Sequence, residues 1–228
     1  MKKVLFLSVT IFFGFICKSQ TIGFQTGANL SSMRLESPET SETKTLKSDF
    51  GFIVGIVSEI PFGKSVYFRP ELNYIQKKSK LSESGEYLGY SYTESFSMEL
   101  NYIELPLNFI YKYKVGSGTL IMGAGPTIGL GLSGKANDII SIPSESYSEA
   151  YSFTIKFDGK KDAADENLHL KAINLGANIN AGYQLTRGAF INLSYNIGLT
   201  NLAPDPNNGK AKINSFAIKL GYILPTKK

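Results

Sequence analysis

The chain's one histidine, His169, stands in Leu168-His169-Leu170-Lys171. Base catalysis or acyl transfer there would need a serine or an orienting carboxylate, and its immediate sequence neighbours supply neither. The only cysteine, Cys17, lies in an apolar N-terminal run. Asp158, Asp162, Asp165 and Glu166 offer oxygen ligands of the kind calcium takes, but without the spacing of an EF-hand loop. No His or Cys cluster suits a transition metal, and no glycine loop is placed to cradle a phosphate. The sequence predicts no enzyme, no catalytic residues, no metal and no cofactor. Two other sets of residues carry charge in a pattern. Glu59, Arg69, Glu71, Glu104, Asn108 and Lys112 fall on the inner side of alternating apolar segments, where buried charges must pair or stay hydrated. They read as an ion-pair network, with a proton or ion path as the alternative. Lys77, Lys78, Lys80, Lys135, Lys171 and Lys212 stand at segment ends, where they could meet phosphates or simply be solvated.

The segments that must position these residues have a period of two. Phe50, Phe52, Val54 and Ile56 alternate with Gly51, Ile53, Gly55 and Val57, and Ile103, Leu105, Leu107 and Phe109 alternate with Tyr102, Glu104 and Asn108. Eight strands are predicted, near 21–31, 50–60, 66–74, 102–111, 119–134, 170–185, 189–200 and 213–224. Tight turns at 61–64, 115–118 and 186–188 alternate with long polar loops at 32–48, 81–96, 136–167 and 201–211. One face of the strands has no charge and no glycine, while the other is rich in Gly and Asn. A water-facing exterior would favour long charged chains, so the Gly/Asn face belongs in a narrow lumen and the apolar face outside. The predicted fold is all-β: an eight-stranded antiparallel up-and-down transmembrane β-barrel with short periplasmic turns and long outer loops. Pro70, Pro106 and Pro126 fall inside strands and predict local bulges.

Lys2, Lys3, the apolar residues 4–16 and Cys17-Lys18-Ser19 follow the grammar of a signal peptide, residues 1–19, cleaved before Gln20. The barrel domain is then 20–228. Cleavage removes three basic residues and no acidic one, so the net charge of +5 falls to +2 and no cysteine remains. The basic pI is therefore no sign of nucleic acid. The four long loops hold 14 acidic and 7 basic residues, which leaves the remainder of the mature chain basic. Lipopolysaccharide phosphates are the expected contacts of the six end lysines, and residues 136–167 the expected surface for an extracellular or envelope protein partner.

Asn101-Tyr102-Ile103-Glu104-Leu105-Pro106-Leu107, Gly123-Ala124-Gly125-Pro126, Ser194-Tyr195-Asn196-Ile197-Gly198-Leu199-Thr200-Asn201 and Leu220-Gly221-Tyr222 occur in order along the mature chain. In these motifs the chain resembles the porin-like or PorT-like outer-membrane β-barrel family of Gram-negative bacteria. The resemblance implies an eight-stranded outer-membrane barrel, with some relatives serving secretion or gliding machinery. It also implies insertion by the barrel-assembly machinery, which reads a terminal aromatic. Here Leu224 stands where an aromatic is common, and Pro225-Thr226-Lys227-Lys228 follows. The expected role is structural or binding, through surface loops above a lumen closed by polar side chains. A narrow pore or transporter, a part of a secretion or motility assembly, and a lipid-modifying enzyme are the alternatives.

Overall fold

The computed structural model describes residues 20–36, 43–87, 90–161, 165–205, 207 and 209–225. The predicted leader, 1–19, lies outside them. The strands are β1 (Thr21–Glu36), β2 (Thr43–Pro61), β3 (Val66–Tyr87), β4 (Tyr90–Val115), β5 (Gly118–Ile142), β6 (Tyr147–Lys156), β7 (Leu168–His169), β8 (Ile173–Leu185), β9 (Ala189–Gly198) and β10 (Lys210–Ile223). All belong to one sheet in the order β4-β3-β2-β1-β10-β9-β8-β5-β6-β7, and a further pairing of β4 with β5 closes eight of them into a ring. Every pairing in the ring is antiparallel; only the short β6–β7 contact is parallel.

The period of two sets which side chains face inward. On β2 Phe50, Phe52, Val54 and Ile56 are exposed while Ile53, Val57 and Glu59 are buried. Around the ring Phe24, Leu72, Phe109, Leu130, Ile179, Leu193 and Leu220 are exposed in the same way. A continuous apolar belt of this kind far exceeds the patches that soluble monomers tolerate. On β4 it runs from Ile103 to Tyr113, which at about 3.3 Å per residue and a tilt near 40° makes a band roughly 25 Å tall. The turns at one end are as tight as expected. Val115 pairs with Gly118, and Gly116 (φ +58°) and Gly188 (φ +96°) take left-handed backbone that other residues adopt at a cost.

Among the described residues ten strands form rather than eight, and much of what reads as loop is strand. β3 and β4 remain paired from the belt out to Tyr87 and Tyr90, and β6 pairs with β5 over Gly134–Ile142. The far β3–β4 ribbon alternates polar with polar, so it lacks the apolar signal that marks a strand, while the apolar residues of β5–β6 sit among Ser, Glu and Asn. Cross-strand hydroxyl pairs join the strands of both ribbons: Ser82–Ser95 at 3.2 Å, Ser84–Thr93 at 3.4 Å and Ser141–Ser148 at 3.1 Å.

The three prolines do not produce the expected bulges. Register shifts occur elsewhere, at Ser31/Met33, Asp49/Ile53 and Asn101/Tyr102. Each proline instead opens one ladder over two residue pairs and leaves its register unchanged. The β2–β3 ladder skips Glu59/Arg69 and Ser58/Pro70, β3–β4 skips Glu71/Pro106 and Leu72/Leu105, and β4–β5 skips Leu107/Pro126 and Asn108/Gly125. A missing N–H removes a hydrogen bond without inserting a residue. At the last gap the backbones run close: a Cβ on Gly125 would lie 2.0 Å from the Leu107 carbonyl oxygen. Gly125→Ala should therefore push β4 from β5 and destabilise the ring by about 1–3 kcal/mol. Lower midpoints in urea, read from the heat-modifiable gel mobility of the folded protein, would show it.

Candidate functional site

Near the tight-turn end the interior holds a charged network beside a small apolar cluster of Val57, Phe190 and Ile223. Glu71, on β3, is the hub: its Oε2 accepts from Lys219 Nζ at 2.6 Å, Gln25 Nε2 at 2.7 Å and Asn73 Nδ2 at 3.1 Å. Arg69 lies between Glu71 and Glu59, 3.7 Å from a Glu71 oxygen and 3.6 Å from Glu59 Oε1, with its guanidinium 4.6 Å above the Phe190 ring. Lys112 Nζ donates to Glu59 at 2.5 Å and to Gln184 at 2.9 Å, over the ring of Tyr67. Each of these side chains sits on an inward position of its strand, so the alternation that builds the belt also assembles the network.

The predicted set divides in two. Glu59, Arg69, Glu71 and Lys112 do come together, and Asn108 faces Arg69 in register on β4, fully buried, with neither amide atom bonded to another protein group. Glu104 belongs to a second level, 2.6 Å from Lys77 Nζ. This corrects the placement of Lys77. It is 1% exposed inside the ring, beside the Tyr102 ring, and cannot meet an external phosphate. Its parity with Arg69, Glu71, Asn73 and Ile75 carries that signal in the sequence. Lys219 and Gln25 share the inward parity of β10 and β1.

Toward the other end the interior turns apolar, against the expectation of a lumen closed by polar groups throughout. Met33, Leu46, Ile53, Ile75, Leu100, Tyr102, Ile155, Leu170, Leu202 and Ile213 form one buried cluster, with Phe157 packed on it. Leu170, Leu202 and Phe157 come from irregular chain that folds back into the mouth. Lys171 N–H bonds Leu202 O at 2.9 Å, Leu202 N–H bonds Ala211 O at 2.8 Å, and Leu170 N–H bonds Lys156 O at 2.9 Å. Phe157 meets Tyr102 edge-on at 5.2 Å, in space where a Cβ on Gly131 would strike its ring. Residues distant in sequence make this plug, so no local pattern announces it.

Outside the mouth, Lys78 pairs with Glu99 at 3.1 Å and Lys80 with Asp49 at 3.5 Å; Lys135 is exposed, and Lys171 and Lys212 are partly so. His169 has the carboxylate partners its sequence neighbours lack. Nδ1 lies 2.6 Å from Asp158 and Nε2 lies 2.8 Å from Asp165, which also pairs with Lys156. The carboxylates sit on opposite ring nitrogens, an arrangement that clamps an imidazolium rather than a metal. Among the described residues no group of His, Cys, Asp and Glu is disposed to hold a metal, and Asp162 lies outside them. Hydrogen bonds to Asp158 and Asp165 raise the His169 pKa above 6.5, and His169 in turn lowers both aspartates.

Two outcomes are expected. Glu71→Gln strands Arg69 and Lys219 and should cost about 3–5 kcal/mol of unfolding free energy in detergent; adding Lys219→Met should recover part of it. The His169 clamp has a raised histidine and lowered aspartates, so it holds fully between about pH 4 and 6.5. It weakens as pH rises through the histidine's raised pKa or falls through the aspartates' lowered ones. Limited proteolysis within 156–170 should accelerate above neutrality in the native protein, and His169→Gln should flatten that rise.

Residues 18–203 match the family described as outer membrane protein beta-barrel domain. No curated protein sequence matches. Among solved structures, Ail of Yersinia pestis is 14% identical, covering 90% of this chain and 98% of that one, with a TM-score of 0.38. Neisserial surface protein A is 12% identical over 87% of this chain and 96% of that one, with a TM-score of 0.40. The outer membrane enzyme PagL is 14% identical over 85% and 98%, with a TM-score of 0.33. At such values no role passes from any of them to this chain. The family match spans most of the sequence, and the chain belongs to the outer membrane protein beta-barrel domain family.

Proposed function

We propose that the eight-strand ring spans the outer membrane with its tight turns in the periplasm, and that the protein is a non-enzymatic binding protein whose β3–β4 and β5–β6 ribbons recognise a partner outside. The carrying observation is the length of those ribbons. On β4 the apolar belt ends near Ile103, yet pairing continues to Tyr90, about 40 Å further along the strand. A membrane anchor has no use for that extension. It presents exposed Tyr90, Tyr147 and Tyr151, a residue type that dominates recognition surfaces. The 136–167 surface for a protein partner lies mainly on the β5–β6 ribbon. Lys78, Lys80, Lys135, Lys171 and Lys212, at or above the belt, stand near the level of lipopolysaccharide phosphates. A transporter reading is opposed by the apolar plug and the packed charges beneath it.

Single cysteines test the orientation, since the mature chain has none. An impermeant maleimide applied to intact cells should label Ser91→Cys on the β3–β4 ribbon but not Lys64→Cys in a tight turn. Purified protein should be silent in planar bilayers. Label on Lys64→Cys alone would invert the topology, and steady conductance would overturn the binding reading in favour of a pore.

A further inference from the structure

The tight-turn end of the ring holds a cavity of about 550 Å³, in the usual range for small-molecule sites. Its lining includes Glu59, Tyr67, Lys112, Gln184, Arg187 and Tyr222. We propose that it binds a small oxyanion, a carboxylate or phosphate group, with Lys112 and Arg187 as its cationic contacts and Tyr67 and Tyr222 as walls.

Charge at this end is one-sided. The exposed charged residues of the turns are Lys64, Lys114 and Arg187, and the nearest described acid, Glu59, is 3% exposed at the cavity floor. The network behind that floor is also unbalanced. Arg69, Lys112 and Lys219 face only Glu59 and Glu71, because Glu104 is taken by Lys77. Arg69 shows the imbalance most directly. It is 1% exposed, it lies 3.6 Å behind Glu59 Oε1, and none of its guanidinium nitrogens reaches a hydrogen-bond acceptor in the protein. An excess buried cation is costly, and an anion in the adjoining cavity would offset it.

The contacts are also in place for an oxyanion. Two of the three Lys112 ammonium protons are held by Glu59 and Gln184, which fixes the side chain and leaves one donor to spare. Arg187 is exposed on the cavity wall and makes no ion pair among the described residues, so its planar fork is available for bidentate contact. The periplasmic address of the cavity rests on the proposed orientation; the binding does not.

The same chemistry could come from a soluble anion or from a phospholipid headgroup, and one experiment separates them. Full-length mature protein, refolded in a neutral detergent without lipid, is titrated calorimetrically with inorganic phosphate, acetate and dihexanoyl phosphatidylglycerol at constant ionic strength. The expected result is saturable binding of phosphate or acetate at one site per chain. Arg187→Gln should weaken it roughly tenfold or more, whereas Lys64→Gln and Lys114→Gln, on the same face but outside the cavity lining, should leave it unchanged. Heat-modifiable mobility confirms that each variant is folded. A lipid headgroup is the source if dihexanoyl phosphatidylglycerol binds at least tenfold tighter than phosphate with the same dependence on Arg187. Equal losses in all three variants, or no saturable binding of any probe, would overturn the site. Because the titration is insensitive to sidedness, a failed orientation test and a failed site are distinguishable.

Discussion

Closure of the sheet is the constraint on which the rest of the molecule depends. A strand facing lipid has no water to satisfy its N–H and C=O groups, so each must pair with a neighbour and the sheet cannot end in an edge. The β4–β5 pairing supplies that last seam. Once the ring is closed, the choice of inner and outer residues is no longer free. Every second side chain goes to the belt, and the others must fill a space only wide enough for side chains. At the turn end Val57, Phe190 and Ile223 pack beside the large charged residues, which are tolerated because they meet one another there. The chain's mean hydropathy of −0.06 records that division and not an absence of membrane contact.

The prolines show how much local irregularity a closed ring absorbs. Their gaps fall on three successive ladders, β2–β3, β3–β4 and β4–β5, and the skipped pairs include Glu59, Arg69, Glu71 and Asn108. The proline gaps in the backbone pairing therefore coincide with the charged network inside. Side-chain ion pairs link β2, β3, β4 and β10 at the level where ladder bonds are missing. A bulge would have shifted register and reversed the inward set on one strand. An open ladder keeps Arg69 and Glu71 pointing inward.

Much of this was legible in the sequence because it is written at short range. The alternation of Phe50, Phe52, Val54 and Ile56 gives the belt, the tight turns follow from their spacing, and Glu59, Arg69, Glu71 and Lys112 were recognisable as inward charges. What stayed hidden had one of two causes. The outer ribbons are mostly exposed, so pairing partners and not burial decide their structure, and pairing is not visible in one strand alone. The plug and the His169 clamp depend on chain return: Leu170, Leu202 and Phe157 join the cluster around Tyr102 from irregular chain, and Asp158 reaches His169 the same way. Lys77 is a different case, because the parity that puts it inside was present but its nearness to Lys78 and Lys80 suggested a rim cluster.

The interior is asymmetric along its axis, and the asymmetry follows from which elements return to it. At the ribbon end, long connections have enough chain to fold back, and they bring leucine and phenylalanine to seal the mouth without polar cost. At the turn end, connections such as Gly116 and its neighbours are too short to cover anything, so the lumen there must be tolerable to water. The buried charged network sits at the turn end, and among the described residues the matched pair Lys77–Glu104 lies nearest the apolar plug, beside Tyr102. The apolar plug thus occupies the ribbon end, while the turn end keeps the cavity lined by Lys112 and Arg187. Connection length alone, set by the up-and-down topology, decides which end is sealed.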